Sequence, residues 1–147
     1  MQTMAKPLIR VVIVEANRVF ARGLEAMLHE SPDMRVVGVA SNGSAAVQLV
    51  EITRPDVVVV DYRLPDGSGA DALRRLRRIL EVGAVFLSGE DSADTLAAAA
   101  WDAGATGFFL KSDSPARAVG AVRRAATRAN IVRRRDAPLR HLTLVPR

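Results

Sequence analysis

VVVVDYRLPDGSG, residues 57–69, is the stretch that decides the architecture. Its four valines, Val57 to Val60, are β-branched and unbroken by any polar residue. A strand with one wet face alternates apolar and polar side chains, and this one does not. It therefore reads as a strand buried on both faces, the kind that belongs to a parallel sheet covered by helices. The run ends on an acid, Asp61, and the chain then passes into a loop holding Pro65 and Gly69.

Four further apolar runs flank this one. Val11 to Val14 is a second unbroken β-branched run, and Met34 to Ala40, Ala84 to Leu87 and Gly107 to Leu110 complete the set. Helical spacing fills the gaps. Phe20, Leu24, Met27 and Leu28 form one stripe, and Leu73, Leu76, Ile79 and Leu80 form another with Arg74, Arg75, Arg77 and Arg78 opposite. Leu96 to Ala103 is rich in alanine, a strong helix former. Ser114 can cap the last helix, Pro115 suits its first position, and Val119, Val122 and Ala126 supply its stripe. Strand and helix thus alternate through the chain, which predicts a doubly wound, flavodoxin-like α/β fold with sheet order 2-1-3-4-5. Ligands of such sheets bind outside the carboxyl ends of the strands, where strands 1 and 3 lie side by side.

The totals narrow the function classes. The chain has 147 residues, enough for one domain with a real core. It has no cysteine, which excludes a disulfide framework or a thiolate metal site. No stretch approaches the roughly 20 apolar residues of a membrane helix. The first apolar run stops at Glu15, too early for a secretory leader, so a cytoplasmic protein is expected. The net charge of +5 is uneven: Arg117, Arg123, Arg124, Arg128, Arg133, Arg134, Arg135 and Arg140 crowd the C-terminal end. A basic tail can meet nucleic acid, and it can equally be a solvated helix face running into a linker. No aromatic residue is interleaved there, which argues against a single-strand stacking platform.

The chemistry lies at the strand ends. Glu15 follows the first strand, Asp61 the third and Lys111 the fifth, and Ser88 ends the fourth. Taken singly each has an ordinary reading: Asp61 as a turn residue, Glu15 as a cap, Lys111 as a solvated cation. Taken together they converge on one crevice. There a carboxylate can act as nucleophile toward a phosphoryl group, a lysine can balance charge, and a hydroxyl can donate a hydrogen bond. Glu15 and Asp61 repel each other unless a cation lies between them, and Mg²⁺ prefers oxygen ligands.

These motifs resemble response-regulator receiver domains of the CheY-like superfamily. VVVVDYRLPDGSG is similar to the family's third strand and loop, with Asp61 in the phosphoacceptor place and Leu64, Pro65 and Gly69 at the matching offsets. VFLSGED resembles the fourth strand with its hydroxyl residue, Ser88, and GATGFFLKS the fifth with its lysine, Lys111. The likeness covers roughly residues 8–129. It implies a switch domain rather than an enzyme: a histidine kinase gives a phosphoryl group to Asp61 in a Mg²⁺-dependent step. Ser88 then bonds the phosphate, and Phe108, at the switch-aromatic position, rotates inward. It also implies a metal site of Glu15, Asp61 and the backbone carbonyl of Arg63. Here the chain departs from the family, because Ala16 stands where the second acid is usual, so weak Mg²⁺ binding is expected. An atypical, phosphorylation-independent module for dimerisation or partner binding is the alternative this departure favours.

Ser112 after Lys111, where many receivers have proline, points to the NarL/FixJ type. Those regulators carry a LuxR-type helix-turn-helix domain after a basic linker. Residues 130–143 have that linker character, and Leu142-Thr143 resembles the opening of the output domain. Contact with DNA is expected only through such a domain, which is expected to be truncated away here. Residues 144–147, LVPR, resemble the scar of a thrombin-cleaved tag. Arg63 and Glu90 border the site with opposite charge and are candidates for a gate. A homodimer is expected through surface helices, either the first or the helix carrying Trp101. The turn Glu15-Ala16-Asn17-Arg18 lacks the Gly, Ser and Thr of a flavin phosphate loop, which argues against a flavin enzyme of the same fold.

Overall fold

The computed structural model describes the backbone of residues 8–144 and the side chains of residues 8–129. Five strands, β1 (Ile9–Val14), β2 (Met34–Ala40), β3 (Val57–Asp61), β4 (Gly83–Ser88) and β5 (Gly107–Leu110), form one parallel sheet in the order β2-β1-β3-β4-β5. Helices α1 (Arg18–His29), α2 (Gly43–Thr53), α3 (Gly69–Arg77), α4 (Ala93–Ala103) and α5 (Pro115–Leu144) connect or follow them. This is the doubly wound arrangement that the unbroken valine runs predict.

Both faces of the central strands are dry: Val11 to Val14 and Val57 to Val60 are all 0% exposed. On one face Val11, Ile13, Val57, Val59, Val85 and Leu87 pack against Leu24, Leu28, Ala121, Val122 and Ala125 of α1 and α5. On the other, Val12, Val14, Val58, Val60 and Phe86 pack against Val50, Leu73, Leu76 and Leu96 of α2, α3 and α4. Since strand side chains alternate faces, each valine run feeds both cores in turn.

Local details depart from the simplest pattern. The α3 stripe outruns its helix. α3 ends at Arg77, and half-buried Ile79 and Leu80 sit in a following turn whose amides donate to the Leu76 carbonyl at 3.0 and 3.1 Å. The buried face of α5 is mostly alanine, at Ala118, Ala121, Ala125 and Ala126, with Val119 only partly buried. A short antiparallel hairpin, Arg63–Leu64 with Gly67–Ser68, follows β3. The backbone of α5 stays helical through Leu144, so the expected linker segment is helical over 130–144. Its side chains, and residues 145–147 of the tag-like ending, lie outside the described residues. No described helix is long and apolar enough to cross a membrane.

Register places the site. Val14 pairs with Val60, so the next residues, Glu15 and Asp61, are level at the carboxyl edge. Asp61 pairs with Leu87 and Ser88 with Leu110, which sets Ser88 one step and Lys111 two steps beyond Asp61. Gly69 matters here. Its N–H donates to the Tyr62 carbonyl at 2.7 Å, and a Cβ at this position would lie 2.4 Å from the Asp61 carbonyl oxygen. Only glycine lets α3 begin so close behind Asp61.

Candidate functional site

Lys111 is the hub. Its Nζ lies 2.5 Å from Glu15 Oε1 and 3.3 Å from Asp61 Oδ2, and it stands 4.7 Å over the Phe20 ring of α1. Burial opposes the lysine's charge, but the Glu15 and Asp61 carboxylates outweigh it and hold Lys111 above the ordinary lysine range.

Glu15 is 2% exposed. Its Oε2 accepts the Asn17 N–H at 2.9 Å, while Oε1 faces the Lys111 ammonium in an ion pair without hydrogen-bond direction. Asp61 is 8% exposed, and its Oδ1 accepts the Arg63 N–H at 3.1 Å. Burial pushes the Asp61 carboxyl above its usual value. The Arg63 amide works against that, neighbouring Glu15 adds to it, and Lys111 partly offsets it.

Ser88, 1% exposed, donates its hydroxyl proton to Asp91 Oδ2 at 2.8 Å. It accepts the amides of Glu90 and Asp91 at 3.3 Å each. The expected Arg63–Glu90 pair is present at 3.5 Å, but Asp91 is the nearer partner of Arg63 at 3.2 Å. Asp61, Arg63, Ser88, Gly89, Glu90 and Lys111 together line an open cavity of about 240 Å³.

Three of the four strand-end residues thus share one cavity. Glu15 does not line it and stands behind it, beside Asp61 and paired with Lys111. Phe108 is also elsewhere: it is half-buried in a groove with Trp101, with the Arg117 guanidinium 5.5 Å over its ring. Ala16 is exposed and brings no ligand atom. Among the described residues no group of three or more His, Asp or Glu is placed to hold a metal. Sequence reasoning missed Asp91, Phe20 and Arg117. For Asp91 a signal existed: an Asp three residues after a strand-end Ser is within reach of that hydroxyl across a turn. Phe20 belongs to the apolar stripe of α1, a pattern that signals core rather than site.

The response regulator receiver domain profile matches residues 11–123. The chain belongs to that family. A solved relative, the signal receiver domain of the response regulator NarL from Mycobacterium tuberculosis, is 32% identical with a TM-score of 0.75. That match covers 83% of this chain and 98% of the relative. The DNA-binding transcriptional activator DevR/DosR of the same organism is 35% identical over 105 residues, 71% of this chain and 48% of its own. A protein-glutamate methylesterase/protein-glutamine glutaminase from Saccharophagus degradans is 34% identical over 105 residues, 70% of this chain. The receiver chain spans only 28% of that enzyme, so the likeness carries no argument for esterase chemistry. Receiver domains of two-component response regulators, with NarL- and LuxR-family relatives, are therefore what this chain is similar to.

Proposed function

We propose that this receiver accepts a phosphoryl group on Asp61 and thereby switches a NarL-type transcription regulator. The observation that carries the reading is the cavity where Asp61, Lys111 and Ser88 meet, with the lysine ammonium 3.3 Å from the carboxylate. The donor is a phosphohistidine of a histidine kinase or a small acyl phosphate. An Asp61 carboxylate oxygen attacks phosphorus, and the P–N or P–O bond to the donor breaks. The electron pair leaves with the imidazole, which takes up a proton, or with the acyl carboxylate. The product is an acyl phosphate on Asp61. Lys111 balances the charge that collects on the phosphoryl oxygens, and Ser88 can bond one of them.

For Mg²⁺ the available oxygens are those of Glu15 and Asp61 and the Arg63 backbone carbonyl. Glu15 is already engaged by Lys111 and the Asn17 amide, and Ala16 offers nothing. This set fits an ion that keeps most of its waters and is weakly held. When bound, it supplies further neutralisation of phosphoryl charge. Beyond the site, a homodimer through a surface helix is the proposed readout. Contact with DNA is assigned to an output domain outside the receiver, in keeping with the DNA binding that the name of the DevR/DosR relative states.

Ala16 and the Glu15–Lys111 pair favour a second reading, a module that docks partners without phosphorylation. Radiolabelled acetyl phosphate separates the two. Label retained by the parent and lost in Asp61→Asn is the expected result, and no retention in either, at any Mg²⁺ concentration, supports the second reading.

A further inference from the structure

We propose that Asp91 is a positioning residue that holds the Ser88 hydroxyl in the resting state and competes with a phosphoryl group on Asp61 for its proton. The inference rests on the phosphoacceptor reading of Asp61 and names a residue outside the strand-end set.

The geometry is that of a strap. One carboxylate oxygen of Asp91 takes the Ser88 hydroxyl at 2.8 Å, and the other takes the Arg63 guanidinium at 3.2 Å. The Asp91 side chain is 10% exposed, against 61% for Arg63 and 80% for Glu90, so it is the shielded member of the three. It joins the end of β4 to the loop after β3 through Ser88 and Arg63, both of which line the cavity that holds Asp61 and Lys111.

A serine hydroxyl has a single proton to donate. In the resting fold that proton is given to Asp91, and two backbone amides point at the same oxygen at 3.3 Å. A phosphoryl oxygen only accepts. Ser88 can bond it only by turning its proton away from Asp91. The Ser88 hydroxyl and the Arg63 guanidinium hold the Asp91 carboxyl below its usual range, so at neutral pH it is an ionised competitor for that proton. Asp91 thus plays toward Ser88 the part that a phosphoryl oxygen would play, and a phosphoryl group on Asp61 must displace it.

The test compares the rate of labelling by acetyl phosphate in the parent, Asp91→Ala and Asp91→Asn, each also in a Ser88→Ala background. Asp91→Ala is expected to be labelled roughly tenfold faster, the worth of one charge-assisted hydrogen bond no longer to be broken. The nearly isosteric Asp91→Asn is expected to fall between it and the parent, and it keeps the test open if the alanine variant folds poorly. Without Ser88 the Asp91 substitutions are expected to leave the rate unchanged. An equal rate in parent and Asp91→Ala overturns the proposal while leaving Asp61 as acceptor. So does an acceleration that persists in Ser88→Ala. Labelling of none of the variants overturns it together with the reading on which it rests.

Discussion

At the scale of single residues the site is a problem in charge. Two carboxylates and one ammonium share the carboxyl edge of the sheet, and burial sets the Asp61 carboxyl above its ordinary 3.8. The folded chain therefore holds this proton more tightly than the unfolded chain does. The associated stability is fully present below the unfolded value and is lost as pH rises through the folded one. Asparagine cannot titrate and keeps the shape. Asp61→Asn is thus expected to show a higher urea midpoint than the parent at neutral pH, with the gap closing as pH falls through the raised folded value toward the ordinary 3.8. A parent more stable than Asp61→Asn at neutral pH contradicts this. Glu15, Asp61, Ser88 and Lys111 were legible in the sequence because each ends or follows a strand, and strand ends in a parallel sheet converge. Asp91 and Phe20 were not. One owes its place to a turn that brings it back on Ser88, and the other to a lysine ninety-one positions away in sequence that comes to rest over its ring.

At the scale of elements, the residues that end one element also position the next. The Asp66 carboxylate, in the hairpin after β3, accepts the Gly43 and Ser44 amides at 2.8 and 3.0 Å and so caps α2. Those amides hold the Asp66 carboxyl below its usual range. Gly69 lets α3 start against the backbone of Asp61. Gly69→Ala would push a methyl onto that carbonyl, at a cost of about 1–3 kcal/mol in denaturant unfolding, the usual range for overpacking. An unchanged unfolding midpoint would show that α3 shifts freely. The five strands were legible because buried β-branched runs have few other uses. The end of α3 was not, since Ile79 and Leu80 keep the apolar spacing while the chain has already turned. The two-residue strands of the hairpin are too short to show any periodicity.

At the scale of the molecule, the sheet order is the one expected from the alternation of strands and helices in a doubly wound, flavodoxin-like fold. The outer surface is less legible, because exposed side chains answer to partners rather than to the fold. Trp101 on α4 is 84% exposed beside a groove lined by Phe108 and Arg117, a place where a second copy can bury it. The proposed homodimer is expected to weaken roughly tenfold or more in Trp101→Ala, as aromatic anchors of interfaces do. Light scattering over a concentration series reads this, and a parent that stays monomeric throughout contradicts it. The account as a whole depends on whether Asp61 takes a phosphoryl group although Ala16 offers no metal ligand. Intact-mass spectrometry after incubation with acetyl phosphate and Mg²⁺ answers that most directly. The account predicts a gain of one phosphoryl group in the parent, none in Asp61→Asn, and a larger labelled fraction in Ala16→Asp. A parent that gains nothing under conditions that label Ala16→Asp contradicts it, and makes the missing carboxylate the reason.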